Sequence, residues 1–527
     1  MYKFPFAAKM VLSCTALLLV TAVQGYAQAQ QDTSNTSKLG FWEDPKLFVP
    51  LLQSQNVTAL TQLPFKNIGN SHITGSLDNG ALHRVQQPEA VRTFQLLTER
   101  YQKLNNMSWY GKFSYQQEQD KDMAYNLVMD PYRGTPFIMA DSIGGTWNKQ
   151  LFGLEARAVY NRPDSKLFYG LGMAYKVAMG AKQVDPRPMN YVNSLTLSPS
   201  IRWAYSNMQS IGLTGIYGFR KENISIAIRN PTTLHNLYRL KGLGIHDPVI
   251  PIGTGASRHY SQTNYGAEVQ HQLRLNDRLT LTSIVGLKQE KESATDGSLI
   301  PYPAGDYARK LANAHIILQK KGMYWQEWQL RASAWRGNGT EYHTQYDNQK
   351  NIYQVIFQGK TYFQDGNTVG LTYSWVQPNA EQDIAQRWSI AVDWERLSES
   401  YNIVQPSSQN YDNLYFKIAY QNFKVKTWRF KGDINYQYNL AQSMLYTPNT
   451  GTNLMAKALL YPDFEFLTAE KLGVNAEVKK LIQLPSTPKL TWYAFANGQF
   501  LRSISPSSNR YHGQERRSFA IGIGTYY

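Results

Sequence analysis

The chain has 527 residues, with 54 Lys+Arg against 38 Asp+Glu, 42% hydrophobic content and one Cys, and its mean hydropathy is −0.46. A helical membrane protein needs several apolar runs of about 18 or more residues; the one candidate run, Met10 to Val23, is interrupted by Ser13, Cys14, Thr15 and Thr21. Disorder is excluded as well, because 36 Tyr, 21 Phe and 12 Trp carry too much aromatic surface for a solvated coil. Length alone predicts roughly three soluble domains, whereas the patterning below argues for one large all-β domain.

The amino terminus reads as an export signal over residues 1–27. Lys3 and Lys9 precede an apolar stretch, Val11 to Val23, followed by the small-x-small sites Gly25-Tyr26-Ala27 and Ala27-Gln28-Ala29. Cleavage is expected near Gln28 or Gln30. Val11-Leu12-Ser13-Cys14 loosely resembles a lipid-attachment site, but its apolar run lies mostly after Cys14, which argues against lipidation. The mature chain then has no cysteine, although it is sent where disulfides are allowed.

Residues 28–67 form a polar lead and a short apolar segment, too small for a domain. Asp44-Pro45 is expected to open a helix carrying Leu47, Phe48, Leu51 and Leu52. The segment could extend into the periplasm, sit in a lumen or act as a strap leading into the first strand.

From residue 68 to 527 one pattern repeats: segments of about 9 to 14 residues alternate large apolar side chains with small or polar ones, each closed by turn residues. Leu195, Leu197, Pro199, Ile201, Trp203 and Tyr205 share one face, with Thr196, Ser198, Ser200, Arg202, Ala204 and Ser206 on the other. Only a strand gives that register, because its successive side chains point to opposite faces. Leu167 to Lys176 and Trp428 to Tyr438 repeat it, as do Ile211–Phe219, Leu279–Leu287, Val369–Trp375, Trp388–Trp394, Phe416–Tyr420 and Leu472–Val478.

A soluble sandwich and a membrane barrel both alternate, so further features decide. Short turns at Asn161–Ser165, Ser206–Ser210, Asn276-Asp277, Lys320–Gly322 and Gln364–Asn367 are interleaved with longer connections. The longest, Glu222–Ser257, carries Pro231, Pro248, Pro251, Gly253 and Gly255. That asymmetry matches short periplasmic turns and long outer loops. Tyr160, Trp203 and Tyr205 gather beside short turns, where a lipid–water boundary would lie. Phe519, Ile521, Ile523, Thr525 and Tyr527 form a last alternating strand. A sheet in a bilayer must close to satisfy its backbone. The expected fold is therefore all-β, a closed antiparallel transmembrane β-barrel of about 18–20 strands. An even count requires Tyr401–Gln405 to be a separate short strand.

Asn56-Val57-Thr58-Ala59-Leu60, the strand around His72 to Leu77, and the hairpin Phe94–Leu104, Asn105-Asn106, Trp109–Tyr115 resemble the start of an uncharacterised outer-membrane β-barrel family of Bacteroidota. The first of these pieces is also distantly similar to the early Asn-Pro-Ala-Gly-Leu segment of the long-chain fatty-acid transporter superfamily, with Val57 and Thr58 departing from it. The resemblance implies an outer-membrane barrel and no characterised activity.

Chemical motifs are sparse. No zinc-protease helix, phosphate loop or nucleophile elbow is present, so no cofactor and no catalysis are expected. Ser508, His512 and Glu515 are the one set that a hydrolase at a barrel rim would use. Asp141-Ser142-Ile143 resembles the Asp-Ser/Thr-aliphatic acceptor of O-glycosylation in Bacteroidota. The inward alternation face carries Arg157, Lys176, Arg202, Arg220, Lys288, Arg331, Asp393, Arg429, Lys431 and Asp433, the candidate lumen-lining residues, with Glu155 and Glu477 among them. Such charges either set a transverse field that selects solutes or pair and fill the barrel.

Losing Lys3 and Lys9 lowers the formal charge from +16 to +14. The surplus suits outer-membrane lipid and lipopolysaccharide phosphates or an anionic solute; nucleic acid is a poor fit because the basic residues are scattered. The sequence thus predicts passage of a small solute without a plug domain, beside a TonB-dependent receptor or a surface lipoprotein as protein partner. Its competitor is a structural or secretion-associated barrel with a filled lumen.

Overall fold

The computed structural model describes residues 39–527 apart from 163, 231, 234, 248–249, 253–254, 380–382, 403–405, 424–426, 448–453 and 488–489. The expected export signal with its expected cleavage sites, Cys14, Pro231, Pro248 and Gly253 lie outside the described residues.

The strands in chain order are β1 (Asn67–Asn79), β2 (Ala90–Leu104), β3 (Met107–Lys121), β4 (Met139–Ala140), β5 (Trp147–Tyr160), β6 (Leu167–Lys182), β7 (Arg187–Trp203) and β8 (Gln209–Ala227). There follow β9 (His235–Gly242), β10 (Ile245–His246), β11 (Ile250–Ile252), β12 (Gly255–Asn276), β13 (Leu279–Asp296), β14 (Tyr302–Lys320), β15 (Trp325–Asp347) and β16 (Ile352–Pro378). The last are β17 (Ile384–Tyr401), β18 (Ser407–Asn422), β19 (Trp428–Tyr446), β20 (Lys471–Gln483), β21 (Thr491–Ser503) and β22 (Glu515–Tyr526).

Eighteen of these form one antiparallel sheet. Each strand pairs with the next barrel strand in the chain, and β1 pairs with β22 from Asn70↔Tyr526 to Asn79↔Arg517, which closes the cylinder. The remaining four, β4, β9, β10 and β11, make a small separate sheet. The fold is a closed antiparallel transmembrane β-barrel of 18 strands.

Alternation does what the residues dictate. Leu171, Val285, Leu287, Leu371, Ile390, Ile418, Ile434, Ile521 and Ile523 stand on the outer surface, each more than half exposed. Trp109, Tyr160, Trp203, Trp388 and Trp428 lie exposed beside the short-turn end. The hairpin β2–β3 closes through Asn105-Asn106, with Leu104 opposite Met107 and Asn105 at φ 47°, the left-handed backbone that Asn tolerates better than most residues.

Three expectations need correction. Gln364–Asn367 is no turn: β16 runs through it for 27 residues, and Gly366 is needed because the Trp335 ring of β15 covers its Cα. Tyr401 ends β17 rather than opening a strand, and the next strand begins at Ser407; residues 403–405 are outside the described set. The connection Glu222–Ser257 is also shorter than expected, since β8 reaches Ala227, β12 starts at Gly255 and β9–β11 occupy the interval.

The wall is uneven. From β12 to β16 strands run 18 to 27 residues, against 12 or 13 in β1 and β20–β22. Above Thr340 and Lys360, β15 and β16 pair only with each other, up to Asp347↔Ile352. They form a two-stranded ribbon that runs past its neighbours' pairing, with the Tyr353 ring 4.4 Å from that of Tyr302 in β14.

Candidate functional site

Side chains that face inward at the short-turn end receive residues 39–63. The expected single helix is split into Leu39–Glu43, Pro45–Phe48 and a 3₁₀ turn at Pro50–Gln53, because Pro50 has no N–H to continue the ladder. Leu39, Phe41, Leu47, Phe48, Leu51, Val57, Leu60 and Phe65 make a buried cluster with the wall residues Tyr101, Val159, Trp325, Val376 and Tyr493. The Phe48 and Trp325 rings meet edge-on at 5.2 Å.

Polar ties run around the wall. Asn56, 2% exposed, caps the 3₁₀ turn Val57–Gln62 by accepting from Thr58 N at 3.0 Å, and its Nδ2 donates to Gln270 Oε1 at 2.8 Å and to the Ile201 carbonyl at 3.2 Å. Gly212 permits this approach, since a Cβ there would lie 2.5 Å from Asn56 Nδ2. The Val57 amide donates to Ser200 Oγ at 3.2 Å, and Gln55 N to Glu268 at 2.7 Å. Glu43 accepts from Lys479 Nζ and Tyr526 Oη, both at 3.0 Å, with Lys431 at 3.4 Å. Burial alone would raise the Glu43 pKa, but Lys479 and Lys431 overcome it and hold the carboxyl at about 2. Asp44 pairs with Arg387. Twenty-five residues thereby touch the wall from β2 round to β22 and form an inner cap.

The opposite end is closed by connections that fold inward. β9 pairs with β4, β10 and β11, and Leu127, Phe137, Met139, Leu237, Leu240, Ile245, Met455 and Leu459 pack on Ile224, Ile226, Tyr260, Tyr307, Tyr362 and Tyr401 of the wall. Charged ties pin this outer cap. Lys182 Nζ meets Asp141 at 2.6 Å with both side chains sealed from solvent, and burial lifts the Asp141 pKa to about 6 despite that lysine. Arg133 reaches Glu292 at 3.0 Å, Arg239 of β9 meets Asp296 at 2.7 Å, and Glu222 accepts from Met129 N at 2.8 Å. Tyr260 Oη donates to the Phe137 carbonyl at 2.9 Å.

The ladder register places all ten candidate residues on the inward face. Arg202, 7% exposed, donates to Thr61 Oγ1 at 2.9 Å; with Lys431 and Arg429, which donates to the Phe423 carbonyl at 3.1 Å, it serves the inner cap. Arg220 meets Glu222 at 2.8 Å below the outer cap. The others stand at the waist: Arg157 with Glu155 at 2.6 Å, Lys288 with Glu290 at 2.7 Å, Arg331 with Asp393 at 3.1 Å, Asp433 with Lys417 at 3.3 Å, and Lys176 exposed. Arg331, Asp393 and Lys417 keep 47%, 41% and 49% of their side chains accessible. The waist is polar between two packed caps, and its inward charges are paired yet partly accessible.

Ser508, His512 and Glu515 are not brought together as a catalytic set. His512 Nδ1 lies 2.6 Å from the Ser505 carbonyl, and Glu515 is held by Arg517 at 2.7 Å and Arg502 at 3.5 Å. The Asp141 carboxylate is committed to Lys182, leaving Ser142 exposed beside it. Sequence reasoning missed Glu43, Asp141, Lys182, Arg133 and Glu222 as cap fasteners. One signal was available: Phe137-Ile138-Met139-Ala140 and Leu459-Leu460 are apolar runs inside the connections between barrel strands.

No curated protein matches the sequence. Among solved structures, the chain is similar to the ferric-catecholate import receptor Fiu from E. coli K12 (11% identity, 88% of this chain and 82% of that one, TM-score 0.40). It is similar also to the siderophore receptor PiuA from Acinetobacter baumannii (9%, 87% and 82%, TM-score 0.38) and to a Pseudomonas aeruginosa FadL homologue (12%, 90% and 92%, TM-score 0.32). Nothing about cargo follows from likeness at that level. A family model covers residues 57–527, the whole barrel and the last turn of the inner cap; the chain belongs to the family of unknown function DUF6850.

Proposed function

We propose that this chain is an outer-membrane barrel that holds a hydrated chamber closed at both ends and passes a small polar solute when a cap moves. The reading takes residues 1–27 as a leader removed on export, 28–67 as the segment that supplies the inner cap, and 68–527 as the barrel. The observation that carries it is the waist: inward charges of both signs remain accessible there, whereas a purely structural barrel would pack that volume. Location rests on the apolar exterior and its aromatic border, which suit a bilayer. Both chain ends then lie in the periplasm.

Planar-bilayer recording tests it. The intact chain is expected to show no steady conductance. A variant lacking residues 39–63, with residues 122–146, 235–252 and 448–470 each replaced by a short Gly-Ser link, is expected to conduct ohmically. Steady current through the intact chain would refute the caps, and a folded uncapped variant without current would refute the chamber.

One observation favours a second reading, a barrel that presents loops to a protein partner. The β15–β16 ribbon exposes Ile352, Val355, Ile356 and Phe357, a surface that a surface lipoprotein or a receptor could cover. Crosslinking from position 355 in intact cells separates the two: capture of one partner supports this role, and no capture removes it.

A further inference from the structure

The outer surface of β13–β16 carries an arrangement that the barrel itself does not explain. Lys310 of β14 and Arg336 of β15 are directly opposite one another in the ladder and both face out. Like charges so placed repel. Lys291 of β13, opposite Ala308, adds a third cation one strand over, and all three side chains are exposed. Asp365 offsets only Arg336, at 2.6 Å with 81% and 48% of the two side chains accessible. Asp306, further toward the rim, is engaged by Tyr342 Oη at 2.6 Å. Lys291 and Lys310 have no ion pair among the described residues.

This cluster sits at a boundary. Immediately toward the short-turn end, the outward positions become apolar: Ala312 opposite Ala334, Ala314 opposite Ala332, then Ile316 opposite Leu330. The exposed ridges of Leu287 and Val285 on one side, and Val369 and Leu371 on the other, flank the four alanines. The trough continues into a depression lined by Ile316, Leu318, Trp328, Leu330, Leu371 and Tyr373. From Lys310 to Ile316 is about 20 Å along the strand, the length of an extended acyl chain.

We infer that Lys291, Lys310 and Arg336 form a binding site for the phosphate of an anionic lipid in the outer leaflet, whose acyl chain lies in the trough below. A headgroup phosphate bridging Lys310 and Arg336 relieves their repulsion through charge-assisted hydrogen bonds. A free phosphate would gain nothing from the apolar trough, so the occupant is a lipid. The site rests on the outer-membrane placement proposed above. A chain that stays folded and monodisperse without detergent removes that placement; a detergent-requiring barrel that retains no lipid removes only the site.

The test is native mass spectrometry of the full mature chain released from nanodiscs of phosphatidylethanolamine containing one-tenth bis-phosphorylated lipid A, or its dephosphorylated form. The intact chain is expected to carry the phosphorylated lipid at least tenfold more often than the dephosphorylated one. K310A/R336A should lose that preference, and Ala332→Trp, which fills the trough with the charges intact, should lower retention several-fold. Heat-modifiable gel mobility establishes that each variant is folded, and K480A, a cation at the short-turn end, serves as the control that retains lipid. Equal retention of both lipids, or unchanged retention by K310A/R336A, overturns the inference.

Discussion

Glu43 shows how one side chain can hold a cap. Its carboxyl lies at about 2 rather than the ordinary 4.5, because Lys479 and Lys431 outweigh burial. A depressed acid contributes stability above its unfolded pKa and loses it as pH falls toward the folded value. The shift corresponds to about 3 kcal/mol, present above about pH 4.5 and lost toward pH 2. Hydrogen–deuterium exchange of residues 39–63, corrected for the intrinsic pH dependence of amide exchange, should therefore rise as pH is lowered through that window, and Glu43→Gln should release the segment at neutral pH and flatten the profile. Asp141 and Lys182 behave differently because neither reaches solvent. Removing one partner strands a buried charge, at a cost of about 3–5 kcal/mol, whereas replacing both with apolar groups is often neutral. Lys182→Met alone should thus open the outer cap to protease, and Asp141→Leu with Lys182→Met should largely restore it; equal exposure in both variants would show that the pair does not fasten the cap. These fasteners were illegible in sequence because each joins residues far apart, 41 positions for Lys182 and Asp141 and 436 for Lys479 and Glu43.

Among the elements, strands were legible and connections were not. A strand writes itself in period two wherever one face meets apolar surroundings and the other a polar lumen, so Leu167–Lys176, Ile211–Phe219 and Trp428–Tyr438 fall inside β6, β8 and β19. Asp365-Gly366-Asn367 carries the same residues as a turn, yet Gly366 is there to seat Trp335. The false turn adds one strand, and the compensating short strand at Tyr401 hides the excess from an even-number rule. Long connections are expected as outer loops, and composition does not say which way a loop folds; here apolar runs such as Phe137–Ala140 turn into the barrel. The β15–β16 ribbon follows a different logic: its tip, Gln349 and Lys350, is exposed and contributes nothing to barrel pairing. An epitope inserted between Gln349 and Lys350 should be labelled by antibody on intact cells with heat-modifiable mobility unchanged. Labelling only after cell lysis would invert the assigned orientation.

For the whole molecule, the proposed function makes permeability a property of the two caps and selectivity a property of the wall. In the doubly uncapped barrel, Arg331→Glu beside Asp393 should move the reversal potential in a salt gradient toward cation preference, since the waist field is set by inward charges; an unmoved potential would place the ion path elsewhere. The last consequence comes from the β1–β22 seam, where Ser71 and Tyr527 meet across 456 positions. No portion of the ribbon is self-sufficient in hydrocarbon, because every unfinished stage leaves two rows of bare amides and carbonyls facing oil. Half a cylinder is therefore not half as stable but inadmissible. Biogenesis has to shelter both raw edges until the final strand arrives.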